Sequence, residues 1–177
     1  MNHAVLDSLS AAARQLLAGA RAAGAYQHLV LQSEQTQWPE AMRVLEGLTT
    51  GTLFEAPVKR PDEASCALAG LWLYLDELDR AHRIVQEIGS PSGSFWHAIV
   101  HRREGDFSNS KYWYARCRDH PAAQALEMSG PALVDLVESI ARLPPDDARR
   151  ARAVELQRRE WELLFDHCAR AAVGRAS

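Results

Sequence analysis

The chain reads as all-α, and three observations predict it. Apolar residues recur at helical spacing along nearly all of the 177 residues. No stretch alternates apolar and polar as a half-buried strand does, and no Asn-Gly or Asp-Gly pair offers a hairpin turn. Proline, serine and acidic residues recur where helices begin.

The elements follow in order. Residues 4–23 are rich in alanine and leucine and predict a helix. Pro39-Glu40 opens a second, with Met42, Leu45 and Leu48 as its apolar stripe and Thr49-Thr50-Gly51-Thr52 as its end, so the N-terminal helices occupy 4–50. Residues 54–61 hold two prolines and read as a loop. Pro61-Asp62-Glu63 then starts a helix, with acids at the positive end of its dipole. Four helices are expected at 64–77, 79–88, 94–103 and 107–118, with Gly89-Ser90-Pro91-Ser92-Gly93 between the middle two. His120-Pro121 and Gly130-Pro131 are breakers before a helix over 133–143. Pro144-Pro145-Asp146 stops it, and a long last helix spans about 147–173. Its first half is charge-laced, and its second carries Trp161, Leu164, Phe165 and Cys168 on one stripe.

Length suits one domain over 1–177, able to bury about 70% of its unfolded surface without a staple. The net charge of −3 argues against a nucleic-acid partner, whose footprint is basic. The basic run from Arg149 to Arg159 alternates with Glu155 and Glu160 and reads as a solvated helix face. The longest apolar run, Ala67 to Leu75, is nine residues broken by Gly70, against the ~20 of a membrane span. The N-terminus lacks a basic n-region, so a cytoplasmic protein is expected. Cys66, Cys117 and Cys168 are odd in number and form no CxxC, which disfavours disulfides and a cysteine zinc site. Cys117 between Arg116 and Arg118 is a candidate nucleophile, against the simpler reading of apolar packing.

The middle of the chain echoes itself at an offset of 29 residues. Asp76-Glu77-Leu78-Asp79-Arg80-Ala81 aligns with Gly105-Asp106-Phe107-Ser108-Asn109-Ser110. Over about 64–120 this resembles the turns of tetratricopeptide-type hairpins, at a spacing shorter than the usual ~34 residues. It predicts an array of antiparallel helical hairpins, TPR-like in the middle. In that register Leu68, Ala69 and Trp72 correspond to His97, Ala98 and His101. Two imidazoles replace apolar groups, so either the helix is rotated to solvent or the histidines line a polar site.

His97 and His101 project from one helix face and can share a metal ion such as zinc. Ala98 stands where the base of an HExxH protease belongs, which excludes that mechanism on this helix. A third ligand must come from His82, Asp79 or Glu104. Proton transfer is assigned to His97 and His101 with Asp79 as partner, since imidazole titrates near neutral pH. Arg102 and Arg103 read either as an anion clamp or as structural pairs of Glu104, Asp106 or Glu77. Asn109, Lys111 and Tyr112 on the next helix complete the ligand set, and Trp96 and Trp113 are expected to wall a pocket. The competing reading makes both histidines hydrogen-bonded structural residues.

The run from Ser94-Phe95-Trp96-His97-Ala98-Ile99-Val100-His101-Arg102-Arg103-Glu104 through Asn109-Ser110-Lys111-Tyr112-Trp113 resembles a motif in a family of uncharacterised, mostly bacterial proteins. The segment from Leu75 to His82 is similar to that family's preceding segment. The resemblance covers about 60 residues and implies no reaction; that family's pattern places proline at Gly105 and phenylalanine at Tyr114. Two functions are therefore expected in competition. One is a small polar or anionic molecule bound at a central His/Asp/Arg pocket, with a divalent metal and with catalysis open. The other is a TPR-like module binding a peptide.

Overall fold

The computed structural model describes residues 3–31, 38–144 and 147–175. The chain is all-α, with no strand among the described residues. In order, α1 is His3–Leu6, α2 Ala11–Ala22, α3 Pro39–Glu46, α4 Pro61–Tyr74 and α5 Leu78–Val85. Then come α6 Pro91–Glu104, α7 Phe107–Arg116, α8 Pro121–Gln124, α9 Gly130–Ile140 and α10 Ala148–Ala172. None of these helices is long and apolar enough to cross a membrane.

Three boundaries correct the sequence expectations, one of them the helix expected over 133–143, which runs Gly130–Ile140 because Ser129 caps it. The single helix expected over 4–23 is broken at 7–10, because Ser10 caps α2 by accepting from the Ala13 N–H and Leu9 leaves the helix to bridge Phe54. The helix expected at 94 begins at Pro91, because Ser90 caps it and Pro91 supplies a preset first turn. Pro145 and Asp146, read as the last helix stop, lie outside the described residues.

The turns at the 29-residue offset share one hydrogen-bond pattern. After α4, Asp76 N–H donates to Leu73 O and Glu77 N–H to Trp72 O. After α6, Gly105 N–H donates to Arg102 O and Asp106 N–H to His101 O. These are Schellman ends. Each puts one residue in the left-handed region, Asp76 at φ 65° and Gly105 at φ 81°.

α6 is the axis of the molecule. It packs against α4, α5, α7 and α10, and every residue from Ser92 to Arg103 is buried. A helix enclosed on all sides is ordinarily apolar all round. This one carries Ser92, Ser94, His97, His101, Arg102 and Arg103, and buried polar groups need partners. On its apolar side Trp96 fills the space above Gly70, where an added Cβ would stand 2.8 Å from the indole. Trp161 of α10 closes the same region by donating to Gly70 O at 2.8 Å.

Candidate metal centre

α5 and α6 bring three histidines together. His97 and His101 face α5 from one side of α6, and His82 meets them from α5. Their ring centroids are 4.7 to 4.9 Å apart. One nitrogen from each ring lies within 4.8 Å of the others, the only such group of metal-ligating side chains among the described residues. The Nε2 atoms of His82 and His97 are already 2.8 Å apart in a hydrogen bond.

Glu104, at the last turn of α6, joins the two helices. Its Oε1 is 3.2 Å from His82 Nδ1, and its Oε2 is 2.8 Å from His101 Nδ1, a close ion-pair contact too bent for a good hydrogen bond. Contacts with His101 and His82 hold the Glu104 carboxyl down to about 2. The bond to Glu104 raises His82 above the usual histidine value. Burial, with His101 and His82 beside it, lowers His97 to about 4. At neutral pH Glu104 is therefore a carboxylate and His97 a neutral imidazole, and one proton bridges the Nε2 atoms of His82 and His97.

α7 covers the far side. The Trp113 ring stacks on His97 with centroids 4.1 Å apart. Asn109 Nδ2 approaches His101 Nε2 at 3.1 Å. His82 is 28% exposed at its side chain and His101 8%, so solvent reaches the cluster along the α5 edge. Surface clefts of about 360 to 580 Å³ among the described residues are lined by other side chains than these histidines.

Several expected site residues are placed elsewhere. Arg102 and Arg103 are no anion clamp: both are fully buried and already paired. Arg102 meets Glu160 at 2.6 Å and the Tyr114 hydroxyl at 2.6 Å. Arg103 meets Asp76 at 2.5 Å, donates to Leu73 O and His28 O, and lies over the Tyr26 ring. Trp96 points into the core away from the histidines. Lys111 pairs with Asp135 at 2.5 Å on α9. Tyr112 is 56% exposed and packs edge-on to Trp113. Asp79 is exposed on α5; its charge raises His82, but it is not among the converging ligand atoms. Burial pushes the Cys117 thiol up to about 12, which removes it as a nucleophile.

A second polar chain, which sequence reasoning missed, starts beside the α6 N-terminus. The Ala122 N–H donates to His120 Nδ1 at 3.1 Å, so the neutral ring carries its proton on Nε2. That proton goes to Ser92 Oγ at 3.1 Å, and Ser92 donates to Glu63 Oε1 at 3.0 Å. The direction of donation excludes His120 as a base toward Ser92 despite a Ser-His-Glu composition. The sequence signal was the His120-Pro121 helix start, where a cap was due.

No protein-family model, curated protein or solved structure matches this sequence.

Proposed function

We propose that the protein binds a divalent metal ion, zinc by donor type, on His82, His97 and His101, and that the ion's remaining position takes a small polar or anionic molecule. The convergence of three ligand nitrogens within 4.8 Å carries this reading. Nitrogens bound to one zinc at about 2.0–2.1 Å stand about 3–4 Å apart, so small ring rotations suffice. Glu104 supports it from behind. A carboxylate on the outer nitrogen of a ligand histidine fixes its tautomer and raises its basicity. Binding would displace the proton now shared between His82 and His97. Three neutral imidazoles leave the ion's charge uncompensated, which favours an anionic ligand, and the α5 edge is the route in. The test is zinc titration of untagged protein by calorimetry, with metal analysis of the protein as purified. One ion per chain is expected, with His97→Ala losing it and Glu104→Gln weakening it about 10- to 100-fold. Inorganic phosphate should then bind the zinc-loaded protein and not the zinc-free one. Zinc affinity unchanged by His97→Ala would overturn the reading.

A further inference from the structure

We propose that Asn109 gates the histidine cluster and sets what it takes: its amide holds the His101 lone pair until an ion claims it, and then turns to an oxyanion carried by that ion. The inference rests on the metal reading above and names the class of molecule for that site, one that presents charged acceptor oxygens, as a phosphate or a carboxylate does.

α7 sets two side chains, four residues apart, against the two histidines of α6. Trp113 lies on His97, and Asn109 reaches His101. Glu104 fixes the direction of the second contact. A carboxylate only accepts, so the proton of the neutral His101 ring stands on Nδ1, 2.8 Å from Glu104 Oε2. Nε2 therefore offers a lone pair, and Asn109 Nδ2 donates to it at 3.1 Å. While Glu104 keeps the outer nitrogen, that lone pair is the one with which His101 can hold an ion. The amide and the ion compete for it.

The amide also has capacity to spare. Its Oδ1 and its second N–H have no partner among the described residues. The cap of α7 engages the Asn109 backbone N–H, which donates to Asp106 Oδ1 at 3.2 Å, so the side chain is free of that task. Asn109 is half-buried and the Glu104 side chain is 28% exposed, so this end of the cluster borders solvent. Once an ion holds His101 Nε2, the displaced N–H loses its only acceptor in the protein. An oxygen of an anion on the same ion replaces it, and a charged acceptor makes the stronger bond. Water in that place makes the weaker, neutral one.

Calorimetry tests this by titrating zinc into the full untagged chain and then inorganic phosphate into the zinc-loaded chain. Asn109→Ala should bind zinc about 3- to 10-fold tighter, because no amide competes. The same variant should bind phosphate about 10-fold more weakly, because the donor is gone. Asn109→Asp keeps the shape but cannot donate, and should lose phosphate further. Ser108→Ala, exposed one residue away, should change neither affinity. A residue that only supports the fold would weaken both ligands together, and circular dichroism confirms that each variant is folded. The metal reading fails in the wild-type titration, if no zinc binds, and takes this inference with it. The inference fails alone if the wild type binds zinc while Asn109→Ala leaves zinc affinity unchanged or lower, or leaves phosphate affinity unchanged.

Discussion

Arg102 and Glu160 meet at 2.6 Å with neither side chain exposed, and the Tyr114 hydroxyl bridges them, accepting from the one and donating to the other at 2.6 Å each. Burial works against the charge on Arg102, and Glu160, with Tyr114 and Tyr26, together more than offset it. Removing one partner strands the other in the core. Arg102→Met or Glu160→Gln should each cost about 3–5 kcal/mol in denaturant unfolding. The double variant Arg102→Met with Glu160→Leu should recover much of that loss. Additive losses would show that the two charges do not depend on each other.

The matched turns separate backbone strain from charge. Gly105→Ala forces a side chain into the left-handed region at φ 81° and should cost about 1–2 kcal/mol. Asp76→Asn keeps a residue that tolerates φ 65° but removes the carboxylate that pairs with Arg103 and His28. Its loss should exceed that of Gly105→Ala in thermal unfolding. The reverse order would mean that the turns are limited by conformation alone.

Gly70 is small because Trp96 occupies its space. A methyl there would lie 2.8 and 2.9 Å from indole carbons and 3.3 Å from Phe165. Gly70→Ala should cost about 1–3 kcal/mol by overpacking and change the near-ultraviolet circular dichroism of the tryptophans. An unchanged spectrum with full stability would show that the ring moves freely.

Acid should destabilise the fold before its carboxylates titrate. His97 and His120 are both lowered from 6.5 to about 4 by burial, with neighbouring histidines adding to it. The unfolded chain therefore binds more protons than the folded one between about pH 6.5 and 4, so stability falls as pH drops through that window. His82, raised by Glu104, acts in the opposite sense: its contribution is present at low pH and fades as pH rises through its folded value. Melting temperatures from pH 7.5 to 4 should decline on the acid side, less steeply in His120→Asn. A flat profile would contradict the burial of these rings.

Much of the fold was legible because its helix ends carry local signals. Pro39, Pro61 and Asp147 stand at or next to the helix starts they predict, while the caps at Ser10 and Ser90 lay inside stretches read as one helix or as a loop. The pair His97 and His101 was legible for a geometric reason, since four residues on a helix return to one face, and Glu104 continues that face. The same spacing does not say whether a neighbour faces solvent. Arg102 and Arg103 read as an anion clamp or as partners of Glu104, Asp106 or Glu77, and not of Glu160 and Asp76, because α6 has no apolar stripe to orient it; all of its sides are covered. Glu160 looked like part of a solvated charge pattern. Its position one turn before Leu164, on the stripe that continues through Cys168, was the available sign that it is buried. What no local pattern supplies is the pairing of distant charges.

The enclosure of α6 also orders events during synthesis. Arg102 leaves the ribosome 58 residues before Glu160, and Arg103 follows its own partner Asp76 by 27. One guanidinium finds its counter-charge already made, while the other must wait for α10. Until that last helix emerges, sealing the central one strands a buried cation without its counter-charge. Docking of α10 supplies the charge that lets the buried face of the helix bearing the histidines close.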